Sequence, residues 1–143
     1  MSIEEREKEV IEEFEIFGED WEGKYEHLIE LGKSLPPIAG ELKTENRLIK
    51  GCQSRVWLHT DLVNGKINYS ADSDAFMTKG LIAMLIRVLN GNTPQEISAA
   101  QLSFLDKIGL KEHLSPTRAN GLLNMIRQMK MDALALGMNS KIN

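Results

Sequence analysis

Cysteine is nearly absent from this chain: of 143 residues only Cys52 carries a thiol. No disulfide can close within the chain, which excludes the stapled scaffolds of small secreted domains and fits a reducing, cytoplasmic setting. That one cysteine and the three dispersed histidines, His27, His59 and His113, match no zinc-ligand spacing. An iron–sulfur cluster usually draws on several thiolates, so the chain is not expected to hold one alone. There is no run of about eighteen apolar residues, and hence no expected membrane span. The opening Met1-Ser2-Ile3-Glu4-Glu5-Arg6-Glu7 is acidic and polar, unlike a secretory leader. Concentrated positive charge is missing as well. With a formal net charge of −4 and no basic stripe, the chain lacks the electrostatic footprint of a nucleic-acid binder. It also lacks internal repeats and low-complexity segments.

What is present is the composition of one globular domain spanning residues 1–143. Hydrophobic content of 42% and charged content of 27% allow a real core at this length. Ser2 and Glu5 form a capping box ahead of a helix carrying Val10, Ile11, Phe14 and Phe17, which Gly18 stops. Asp20 caps a second helix with Trp21, Tyr25, Leu28 and Ile29 on one face and Gly32 at its end. Leu35-Pro36-Pro37 forbids further helix, and residues 33–46 read as a surface loop.

The period then changes. Val56, Leu58 and Thr60 alternate with Trp57, His59 and Asp61, which is strand spacing. Asn64-Gly65 signals a type I′ turn, so Lys66 to Ser70 returns as the second strand of a hairpin. Arg47 to Lys50 is expected to add a third strand, which would place Cys52 on an exposed tip between strands. Asp74 is expected to cap a long helix from Ala75 to Asn90, apolar on most sides and therefore the buried centre. Thr93-Pro94-Gln95-Glu96 is another capping box. A short helix around Leu102 to Ile108 ends at Gly109, and Ser115-Pro116 opens a last helix to about Leu136. The predicted class is α+β, a small three-stranded antiparallel sheet covered by helices.

Cys52 does not read as a core thiol. Gly51 precedes it, the polar Gln53 and Ser54 follow it, and Lys50 and Arg55 are close enough to favour a thiolate. A buried, inert cysteine is the plain alternative. A nucleophile–base pair of Cys52 and His59 is a second alternative, if the fold unites them. Asp72-Ser73-Asp74 lies between strand and helix, where carboxylates complement the helix dipole. Arg118 is odder, because positive charge in the first turn of a helix opposes the dipole; a contact elsewhere or an internal carboxylate would explain it. Gly121 falls mid-helix at a cost of about 1 kcal/mol against alanine, which predicts close packing there.

Several segments, in order, resemble the SufE family. They are Trp21 to Tyr25 with Leu28-Ile29-Glu30-Leu31-Gly32, Leu35-Pro36, Asn46, and Gly51-Cys52-Gln53-Ser54 with Val56-Trp57. Further on come Asp72-Ser73-Asp74-Ala75, Lys79-Gly80-Leu81, and Leu114-Ser115-Pro116-Thr117-Arg118 with Asn120-Gly121-Leu122. The resemblance implies a SufE/IscU-like fold and a sulfur acceptor in iron–sulfur cluster assembly. Cys52 would take persulfide sulfur from a SufS-like, pyridoxal-phosphate-dependent cysteine desulfurase, stimulate that enzyme, and pass the sulfur to a SufB-like scaffold. The chain itself would be neither an enzyme nor a cofactor protein, its persulfide being transient. Asp74 and Arg118 fall on positions the resemblance associates with desulfurase contact, and Lys50, Gly51, Gln53, Ser54 and Arg55 would support the thiol. Arg55 stands where the family more often has glutamine. A thiol-dependent enzyme and a pure interaction module remain the rival classes.

Overall fold

The structure, a computed structural model, describes the backbone of residues 1–142 and the side chains of residues 1–139. Helix α1 (Ile3–Glu15) begins at the expected capping box. Ser2 Oγ accepts from Glu5 N at 3.1 Å and Glu5 Oε1 accepts from Ser2 N at 3.3 Å. Its buried face is Ile3, Val10 and Phe14. Helix α2 (Trp21–Lys33) starts from Asp20, whose Oδ1 accepts from Gly23 N at 3.0 Å. The loop that follows contains two 3-10 turns, Gly40–Leu42 and Glu45–Arg47.

Strands β1 (Val56–Val63) and β2 (Lys66–Ser73) form an antiparallel hairpin in register from Val56↔Ser73 to Val63↔Lys66. Asn64 and Gly65 between them both have left-handed φ, +53° and +78°, as a type I′ turn requires. The expected third strand does not form, and among the described residues the sheet has two strands. A lone bridge joins Leu48 to Trp57, with Ile49 N donating to Val56 O at 2.9 Å. The 3-10 turn before it and the left-handed Gly51 after it (φ +84°) leave too short an extended stretch for a strand.

Helix α3 (Phe76–Leu89) is the buried centre, with Leu81, Ile82, Met84, Leu85, Val88 and Leu89 all enclosed. It crosses α2 backbone to backbone. A Cβ on Gly32 would lie 2.8 Å from Gly80 N, and one on Gly80 would run into the Leu28 carbonyl. Asp74 does not cap α3. The capping position belongs to Ala75, which offers no side-chain bond, and the Asp74 carboxylate is drawn across to the start of β1.

Helices α4 (Pro94–Ala99), α5 (Phe104–Ile108) and α6 (Leu110–His113) follow, α4 opening on the Thr93–Glu96 capping box. Gly109, at φ +80°, separates α5 from α6. Helix α7 (Pro116–Ile142) runs beyond the expected end near Leu136. Its buried Leu122, Met125, Met129 and Ala133 recur at helical spacing against the apolar face of the hairpin. Polar ties fix the same contact. Tyr69 Oη donates to Met129 O at 2.7 Å, and Thr60 Oγ1 donates to Asp132 Oδ2 at 2.9 Å. With α7 fixed along the hairpin, its first turns reach the loop that carries Cys52.

Candidate functional site

Two segments far apart in sequence meet here. Cys52 and Ser54 from the loop, and Ser115, Thr117, Arg118 and Gly121 from the start of α7, line one cavity of about 250 Å³. Thr78 and Leu81 of α3 close its inner side.

Cys52 is half-buried and not on an exposed tip. Its Sγ donates to Gly121 O at 3.7 Å, and a Cβ on Gly121 would lie 3.7 Å from that sulfur. The mid-helix glycine therefore marks the place where the thiol rests on the helix backbone. Burial pushes the Cys52 thiol above its ordinary value. The expected depression by Lys50 and Arg55 is absent, because both residues are exposed and neither offsets the loss of water around the sulfur. Burial thus disfavours the thiolate while the sulfur rests against the helix.

Both ends of the loop are held. At the near end Asn124 Nδ2 donates to Gly51 O at 3.1 Å. At the far end Arg55 N donates to Asp74 Oδ1 at 3.0 Å, while Arg55 O accepts from Ser73 Oγ at 2.7 Å and Asp74 N at 3.3 Å. Asp74 thus clamps the loop to the base of the hairpin. Its neighbour Asp72 takes ion pairs from Lys43 Nζ at 2.6 Å and Lys79 Nζ at 3.2 Å. Burial alone would raise the Asp72 carboxyl, but hydrogen bonds from Lys43, the Ser73 backbone and Lys79 hold it below its ordinary value.

Arg118 is exposed in the first turn of α7, where Ser115 Oγ caps the helix by accepting Arg118 N at 3.2 Å. Among the described residues no carboxylate pairs with its guanidinium, so an internal ion pair does not explain its position. Of the other residues singled out, Gln53 lines the cavity from an exposed position and Ser54 from a half-buried one. Asn124 and Thr78 were not legible as site residues. The signal for Asn124 was available, since it stands three residues after Gly121 and so shares a helix face with it.

The histidines are engaged elsewhere. His59 Nδ1 accepts from Arg47 Nε at 3.1 Å, which leaves Nε2 to donate to Asp61 Oδ2 at 3.1 Å. His27 bonds Glu13 at 3.0 Å, and His113 stacks on Trp21 with centroids 3.7 Å apart. No cysteine–histidine pair is assembled. Among the described residues no cluster of histidine, cysteine, aspartate or glutamate could hold a metal ion.

A thiol cradled between a Gly-Cys-Gln-Ser loop and a Ser-Pro-Thr-Arg helix start invites comparison with known proteins. The family model described as SufE, Fe-S metabolism associated domain, matches residues 8–133. The chain belongs to the SufE family. An uncharacterized SufE-like protein of Rhizobium etli is 39% identical over 130 residues, covering 87% of each chain. The sulfur acceptor protein CsdE of Escherichia coli is 42% identical over 104 residues, covering 71% of each. A SufE-like protein of Arabidopsis thaliana, described as chloroplastic/mitochondrial, is 41% identical over 114 residues, 79% of this chain and 31% of that one. The fold resembles the solution structure of a hypothetical protein from Thermus thermophilus, with a TM-score of 0.73 at 21% identity over 96% of this chain and 97% of that one. No helix among the described residues is long and apolar enough to cross a membrane.

Proposed function

We propose that this SufE-family chain is a sulfur carrier, with Cys52 as the acceptor of persulfide sulfur from a cysteine desulfurase. The observation that carries the reading is the cavity itself, in which the chain's sole thiol lies with no general base beside it. A hydrolytic or acyl-transfer site would need such a base. A sulfur acceptor needs only a thiolate and an approach path.

The Cys52 thiolate attacks the outer sulfur of the partner's persulfide. A new S–S bond forms at Cys52, the partner's S–S bond breaks, and its cysteine leaves with the electron pair. The proton lost by Cys52 balances the one taken up by the leaving thiolate, so no external oxidant or reductant is consumed. Carbon–sulfur cleavage belongs to the desulfurase and its pyridoxal phosphate, so this chain needs no cofactor. Because the thiol is withdrawn, docking must draw the Gly51–Arg55 loop out of its cavity. Asp74 and Arg118 border that loop on its two sides and are the docking contacts we assign to the desulfurase. Stimulation of desulfurase turnover and delivery to an iron–sulfur scaffold of the SufB kind complete the role, in the cytoplasm.

The test is mass spectrometry after incubation with desulfurase and free cysteine. Wild type is expected to gain sulfur mass on Cys52 and to stimulate turnover, and His59→Ala to do the same. Cys52→Ser is expected to keep its fold and lose both effects. A serine variant that stimulated as well as wild type would sink the carrier reading.

A further inference from the structure

Helix α7 grips the cysteine loop at two points three residues apart, and only one of them involves the thiol. Gly121 O accepts the Cys52 Sγ–H, a weak bond at 3.7 Å. Asn124 Nδ2 donates to the Gly51 carbonyl at 3.1 Å. Gly51 is shaped for that contact, with a left-handed φ of +84° and a bare Cα against the Asn124 amide, where any Cβ would collide. The amide–carbonyl bond is the stronger of the two, and it holds the backbone at the residue next to Cys52.

We infer that Asn124 is a positioning residue, a latch on the Gly51 carbonyl that sets how often the Cys52 loop is released. The inference rests on Cys52 being the reacting group of the proposed function. Withdrawal and protonation support each other, since burial raises the thiol's titration and release restores it. The latch therefore fixes the pH at which the free protein begins to react. Among the described residues Arg118 of α7 is the only charged group lining the cavity. Helix α3 presents uncharged Thr78 and Leu81, α7 adds Met125, and the loop's own Lys50 and Arg55 are exposed.

The experiment measures alkylation of Cys52 by iodoacetamide across pH, in the full chain without any desulfurase. Removing one exposed hydrogen bond should increase the released population about two- to tenfold. Asn124→Ala is thus expected to react about two- to tenfold faster near pH 7. Its pH midpoint should fall by the matching fraction of a unit, with the plateau at high pH unchanged because ionisation already releases the loop there. Asn124→Gln, which keeps an amide donor, should stay nearer wild type, and Arg127→Ala on the exposed face of α7 should match wild type. Alanine is a better helix former than asparagine, so the fold is not at risk. Unchanged rates in Asn124→Ala would overturn the latch. So would a uniform acceleration that included the plateau, which is the mark of general loosening. Because no desulfurase is present, either result leaves the carrier reading to stand or fall on sulfur transfer alone.

Discussion

Arg118 shows at the scale of one residue how a local cost points to function. Its charge opposes the dipole of α7, and no carboxylate among the described residues compensates it. The side chain lies at the rim of the cavity that holds Cys52. Arg118→Ala is therefore expected to leave the melting temperature of the free protein unchanged or slightly raised, since a charge in the wrong turn is removed. Desulfurase binding should weaken by about 1–3 kcal/mol, the range for an interface charge that loses water on docking. Titration calorimetry and thermal melts check the two halves separately. Unchanged affinity with a large loss of stability would make Arg118 an internal structural residue.

At the scale of elements, the α2–α3 crossing is what holds the site's floor. Gly32 and Gly80 let the two backbones touch, and α3 then presents Thr78 and Leu81 to the cavity. A methyl on Gly80 would meet the Leu28 carbonyl, which is backbone and cannot swing aside. Gly80→Ala is expected to destabilise the fold by about 1–3 kcal/mol through overpacking, despite the better helix propensity of alanine. Urea unfolding would reveal it. If Gly80→Ala were as stable as wild type, the close crossing would not be a constraint.

At the scale of the whole molecule, a few charged clamps tie distant segments together. Glu13 of α1 takes a fork of hydrogen bonds from Arg87 of α3 and a further one from His27 of α2, and Asp72 joins the 3-10 loop to α3 through Lys43 and Lys79. The Arg87 hydrogen bonds hold the Glu13 carboxyl below its ordinary value against the opposing effect of burial, and Asp72 is lowered too. Unfolding returns both to about pH 4. Their contribution is therefore full above about pH 4 and is lost as the pH falls through the lowered folded-state values. Stability is expected to be flat between about pH 7 and 5 on this account, and to decline in acid. Glu13→Gln should be less stable at neutral pH and should decline less steeply. Urea midpoints measured over a pH series test this, and equally steep curves for the two proteins would show that the clamp contributes nothing.

Local signals determined most of the elements and picked out three residues that line one cavity. The Ser2/Glu5 and Thr93/Glu96 boxes, the Asn64-Gly65 turn and the apolar α3 were all legible, because each depends on neighbours a few residues away. Cys52, Arg118 and Gly121 stood out in the same way, each being out of character with its surroundings. Three readings needed the tertiary structure. Asp74 looked like a helix cap, but its carboxylate found the Arg55 amide across the hairpin base, a partner 19 positions away in sequence. Arg47 to Lys50 looked like a strand, but flanking turns left a single bridge. Lys50 and Arg55 looked like activators of the thiol, but sequence proximity is not proximity in space. The thiol turned inward onto α7, 69 residues further along the chain, while both cations stayed in water. A thiol's ionisation is decided by what surrounds the sulfur, and in this chain that surrounding comes from a helix no local pattern could connect to it.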